Sequence, residues 1–158
     1  MSSTIATPQH STNVPVHGAP GDGTTPQADH GRGDYLRVRR AAQAFINGDM
    51  AALKQLIAED AVWHVPGRSQ LAGDYRGHDQ IFGFFGKLME LTAGTFKIEV
   101  HDVLATDDHV VNLDRMTATR GDKKLDLDLI LVVHPKDGKI AEAWDRFSDQ
   151  YAWDDCWA

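Results

Sequence analysis

The chain has 158 residues, with 16 Lys and Arg against 23 Asp and Glu and a formal net charge of −7, enough for one domain with a self-sufficient core. No stretch gathers basic side chains into a stripe, which argues against nucleic acid and anionic membrane as partners because both need clustered positive charge. The single cysteine, Cys156, excludes an intrachain disulfide and a thiolate metal cage, and with no export-type N-terminus or bilayer-length apolar run the expected location is cytoplasmic.

Residues 1–33 are rich in Ser, Thr, Pro, Gly and His and hold four of the six prolines. With so little apolar area to offset ordering entropy, this segment is expected to be a disordered tail, followed by a folded domain at 34–158. His10, His17 and His30 are too irregularly spaced to suggest a metal site, and none is expected elsewhere.

Asp34 is an acceptable N-cap, and Leu36, Val38, Ala41, Ala42, Phe45 and Ile46 give a helical apolar stripe ending at Asn47-Gly48. Asp49 caps a second helix with Leu53, Leu56 and Ile57 on its buried face. Next comes Ala61 to Asp79, where a short aromatic and β-branched strand breaks at Pro66-Gly67, crosses a polar loop and re-forms at Tyr75. Trp63, His64, Asp74, Tyr75, Arg76 and His78 crowd into this bent segment, a mixture suited to the rim of a pocket. A third helix after Gly77 carries Ile81, Phe82, Phe84, Phe85, Leu88, Met89 and Leu91 at helical spacing; Phe82, Phe85 and Met89 are candidate cavity residues.

From Phe96 the period changes to two. Strands are expected at 96–104, 109–119, 124–134 and 139–147, joined by turn sequences into an antiparallel meander. The residues from Ser148 onward, with Tyr151, Trp153 and Trp157, are expected to add a helical turn over an edge or the pocket mouth. Helices ahead of an antiparallel sheet indicate an α+β domain whose curved sheet wraps around three N-terminal helices and leaves a conical interior for a small apolar ligand.

That order, with Gly48-Asp49-Met50-Ala51-Ala52-Leu53, Val62-Trp63-His64-Val65-Pro66-Gly67, Tyr75-Arg76-Gly77-His78-Asp79 and the run Asp137 to Asp145, resembles the SnoaL-like (polyketide cyclase-like) group of the nuclear transport factor 2-like, ketosteroid isomerase-like superfamily. The resemblance covers about 34–158 and implies a cone-shaped, cystatin-like α+β barrel. Ketosteroid isomerase has its Asp base just before a Pro on the first strand; here Val65 stands there and His64 is the nearest titratable group. Its second Asp falls near Ile130, with Asp128 two residues earlier. Asp145 matches the acidic residue that similar cyclases place on the last strand. Limonene epoxide hydrolase pairs an Arg and an Asp on the middle strand, for which Arg115 and Thr117 are the matching positions.

The candidate catalytic residues are His64 as proton shuttle, Asp145 as its partner and Asp128 as oxyanion donor. The candidate ligand-binding residues are Trp63, Tyr75, Phe82, Phe85, Met89, Arg115 and Trp144. In the strand at 124–134, Leu125, Leu127, Leu129 and Leu131 alternate with Asp126, Asp128 and Ile130, so only one set lines the pocket. The resemblance implies the second set. The leucines would then face outward and call for a homodimer through the sheet.

With no phosphate loop, zinc helix or nucleophile elbow, no cofactor is expected. The expected function is general acid–base catalysis, of isomerase, cyclase or dehydratase type, on a small, largely apolar, carbonyl-containing metabolite, hydrophobic or aromatic. The alternative is a non-catalytic small-ligand-binding or interaction module of the same fold.

Overall fold

The computed structural model describes residues 26–158, with side chains described from Gly31 onward. Of the tail expected at 1–33, residues 1–25 lie outside the described residues, while residues 26–33 belong to a helix. Helix α1 (Pro26–Ile46) begins well before Asp34, whose carboxylate accepts a bond from Arg37 Nη1 at 3.0 Å rather than capping the helix. Helix α2 (Met50–Leu56) follows a tight turn at Gly48, where φ is +68°, a region open to glycine at little cost. Asp49 Oδ1 accepts from the Ala52 N–H at 3.0 Å and caps it.

Ile57 was expected on that helix but opens strand β1 (Ile57–Val65). It pairs with Ile140 in the sheet, and ladder pairing of a β-branched residue prevails over another turn of helix. After β2 (Gly73–Arg76) come α3 (Gly77–Leu91), β3 (Lys97–Ala105), β4 (Val110–Arg120), β5 (Lys123–Lys136), β6 (Lys139–Phe147) and α4 (Gln150–Trp157).

Among the described residues, six strands form one open sheet in the order β2-β1-β6-β5-β4-β3. All pairings are antiparallel except β1 with β6, which run parallel, so the sheet is mixed rather than wholly antiparallel. One face packs on the helices. Val38 and Ala41 of α1, Leu53 of α2 and Ile81, Phe84 and Phe85 of α3 are buried with Trp63, Met116, Leu129 and Ala143 from the strands. This is the α+β architecture expected, with α4 as a fuller closing element than a single turn: Trp153 and Trp157 are buried, and Trp153 stacks on Phe147 with ring centroids 3.9 Å apart.

The leucines of β5 face inward. Leu125, Leu127 and Leu129 are buried, whereas Asp126, Asp128 and Ile130 are exposed. This corrects the outward-leucine expectation, and with it the ground on which a homodimer through those leucines was expected. The physical reason is plain: the helical layer offers the leucines a dry surface, while the aspartates keep their hydration.

Candidate active site

Sheet alternation sorts the candidate residues onto two faces. On β1, Trp63 points inward and is buried while its neighbour His64 points outward. On β6, Ala143 and Asp145 are buried and Glu142 and Trp144 lie half-buried on the opposite face. His64 and Asp145 are therefore separated by the sheet, which corrects their expected pairing.

The inner face encloses an apolar cavity of about 70 Å³, lined by Phe45, Trp63, Phe85, Met116, Leu129 and Asp145 among others. It suits a compact ligand, because pockets for drug-sized molecules run to about 300–1,000 Å³. Asp145, only 5% exposed, accepts a hydrogen bond at Oδ1 from the Trp63 indole N–H at 3.1 Å. Burial pushes its carboxyl up to about 7; Trp63 and the Arg146 charge pull the other way, and Asp114 adds a further upward push.

Asp114 is the second inward carboxyl group and was not singled out from the sequence. It is 4% exposed, stands opposite cavity-lining Leu129 in the β4–β5 ladder, and is raised to about 7 by burial. Its Oδ1 is buried without a hydrogen-bond partner among the described residues. Asn112, two residues earlier, is buried on the same face. The signal was parity: Val110, Asn112, Asp114, Met116 and Ala118 share a face, so two polar side chains interrupt an otherwise apolar row. Arg115 and Thr117, taken from the middle-strand pattern, have the opposite parity.

Arg115 lies on the outer face, where Nε and Nη2 bind the Asp126 carboxylate at 2.9 and 2.7 Å. Asp128 is exposed on that face too, and its backbone N–H donates to Ser148 Oγ at 3.0 Å. Trp144 is also outside, stacked on His64 with centroids 5.5 Å apart. Met89 is exposed. Tyr75 packs on Phe84 and gives its hydroxyl hydrogen to the Leu71 carbonyl at 2.8 Å. Phe82 sits behind Phe85 in an edge contact. Of the residues chosen from sequence, Trp63, Phe85 and Asp145 line the cavity; the others do not.

His64 occupies a site of its own. Nδ1 is 2.7 Å from Asp74 Oδ1 on β2 and Nε2 is 2.7 Å from Glu142 Oε1 on β6. Two carboxylates can both be satisfied only by an imidazolium donating from both nitrogens. Burial works against the charged ring, but the bonds to Glu142 and then Asp74 outweigh it and raise the His64 pKa.

Among the described residues no cluster of three or more His, Cys, Asp or Glu is arranged to hold a metal ion, and no helix is long and apolar enough to cross a membrane.

Residues 38–143 match the family model of the SnoaL-like domain. The chain belongs to that family. The uncharacterized protein Rv0034 of Mycobacterium tuberculosis is 35% identical to this SnoaL-like chain over 126 residues, covering 79% of it and 96% of the relative. Bal32a, from a soil-derived mobile gene cassette, is 42% identical with a TM-score of 0.80, covering 82% of this chain and 99% of that one. A nuclear transport factor 2-like protein from Burkholderia xenovorans superposes at a TM-score of 0.69 and 20% identity, covering 80% and 97%. That last likeness is one of fold alone.

Proposed function

We propose that this SnoaL-like chain is a cofactor-independent enzyme that moves a proton on a compact, largely apolar, carbonyl-containing metabolite, with Asp145 and Asp114 as its acid–base pair. One observation carries this reading. Two carboxyl groups are buried on the inner face of one apolar core, and both are raised to about 7.

Groups poised near neutrality are the efficient proton carriers at physiological pH. Because each disfavours ionisation of the other, the pair shares protons and titrates as a unit. The environments assign the roles. Asp145 receives the Trp63 N–H and feels Arg146, both favouring its anion, so it is the base that removes a proton from the carbon next to the carbonyl. Asp114 is raised by burial with no hydrogen bond or cation favouring its anion, retains its proton, and donates to the carbonyl oxygen as negative charge develops there. The apolar walls keep water from competing for either group. Isomerisation, cyclisation and dehydration of a carbonyl compound all begin with this enolisation.

The test is deuterium incorporation at the α-carbons of cyclopentanone in D₂O, followed by NMR. Wild type is expected to accelerate exchange above buffer, and Asp145→Asn and Asp114→Asn to return it to the buffer rate. Exchange that persists in both variants, or that never exceeds buffer, defeats the assignment.

A further inference from the structure

Beyond the carboxyl pair, the inner face holds another polar side chain with no account yet. Asn112 is 1% exposed, and both its Nδ2 and its Oδ1 are buried without a hydrogen-bond partner among the described residues. Two residues on, Asp114 Oδ1 is buried and unpartnered in the same way. Asn112 stands opposite Leu131, and Leu131 stands opposite Asp145 on the far side of β5. Asn112 and Asp114 on β4 and Asp145 on β6 thus share one otherwise apolar face, flanking the leucines of β5.

An unmade hydrogen bond at a buried polar atom costs about 1–3 kcal/mol, and an apolar side chain of the same shape avoids that cost. Stability alone gives no reason for a carboxamide here. A carboxamide presents a donor and an acceptor side by side in one plane, and its complement is a ligand edge with an acceptor next to a donor. The adjacent Asp145 carboxylate disfavours an anionic ligand at this position, because a second negative charge in the same low-dielectric space is repelled.

We propose that Asn112 is the specificity-determining anchor for a neutral substrate whose carbonyl adjoins an N–H or O–H group, as in a lactam, a carboxamide or the enol of a dicarbonyl compound. The proposal rests on the reading of the same face as a substrate site and adds the feature of the substrate that is recognised. With its carbonyl held by the Asn112 amide hydrogen and its N–H or O–H by Oδ1, such a molecule has its polar edge at Asn112 and its hydrocarbon body against the apolar wall.

The test compares 2-pyrrolidinone with cyclopentanone, rings of the same size of which only the first has a donor beside its carbonyl. Affinities are measured by NMR titration of wild type, Asn112→Leu and Asn112→Ala. Wild type is expected to prefer the lactam, and in both variants the lactam is expected to lose about tenfold in affinity, the equivalent of one hydrogen bond, while the ketone stays within about twofold. If only one variant folds, it decides alone. Absence of a lactam preference in wild type, or an unchanged ratio of the two affinities in the variants, overturns the proposal. Because the titration needs no turnover, lactam selectivity without α-proton exchange would sink the enzymatic reading and leave the anchor standing; exchange with an unchanged ratio would do the reverse.

Discussion

The Trp63 indole N–H reaches Asp145 Oδ1 at 3.1 Å inside the sheet's concave face, joining residues 82 positions apart. Among the described residues it is the one hydrogen bond at that carboxylate, and it favours the charged form. Trp63→Phe keeps much of the packing and removes the donor. We expect the Asp145 pKa to rise further, moving the onset of α-proton exchange to higher pH, at a stability cost of about 1.5–3 kcal/mol for a bond to a charged group. An unmoved pH profile would show that the bond does not tune the base.

Both inward carboxyl groups have folded-state pKa values raised from 3.8 to about 7. In that window the folded state holds protons that the unfolded chain has released, so stability is greatest below about pH 4 for these two groups and falls as pH rises toward 7. Each contributes a slope of about 1.4 kcal/mol per pH unit between those limits. Urea denaturation from pH 4 to 8 measures it, and Asp114→Asn is expected to make the fall less steep. An equal slope in the variant contradicts the burial account.

His64 has the same sign for a different reason. Its raised pKa means that the bridge from Asp74 to Glu142 contributes below the unfolded value of 6.5 and is lost as pH climbs through the folded one. His64→Gln should therefore lower the melting temperature more at pH 5.5 than at pH 8.5. Since the ring lies on the face away from the cavity, exchange activity should survive the substitution, and its loss would return His64 to the chemistry.

Gly67 has φ +114°, and a Cβ there would fall on the Asp154 carboxylate. That carboxylate accepts the backbone N–H groups of Arg68 and Ser69 at 2.9 and 3.1 Å, tying the loop after β1 to α4. Gly67→Ala is expected to cost stability through backbone strain of order 1–3 kcal/mol and loss of those bonds. Thermal unfolding provides the check; a variant as stable as wild type would mean that the loop tolerates release from α4.

Much of the fold was legible because its signals are local. The change of period at Phe96, the Asp49 cap and the Pro66-Gly67 break each act within a few residues. Which face of a strand looks inward is a tertiary matter. In β5 the alternation was evident, but Leu129 and Asp128 exchange roles according to where the helices lie. The same ambiguity separated His64 from Asp145 and hid Asn112 and Asp114, whose row becomes recognisable once Met116 and Ala118 fix the parity of β4. Asp145 was readable from its small and apolar same-face neighbours, for which a carboxylate is an expensive companion.

The parallel pairing of β1 with β6 sets the order in which this protein can be made. Strand β1 is synthesised early, yet its neighbour opposite β2 is the last strand of the chain, so Ile57 to Val65 must wait with one backbone edge open while some seventy residues follow. Contacts of such long range close late and slow folding, and an open apolar strand edge in the interval invites pairing with another chain. Trp63 and Asp145 meet across that seam. A ribosome-bound chain truncated before β6 would carry α1, α2 and α3 but neither Asp145 nor the closing helix α4, so the proposed carboxyl pair is assembled only with the final closure of the sheet.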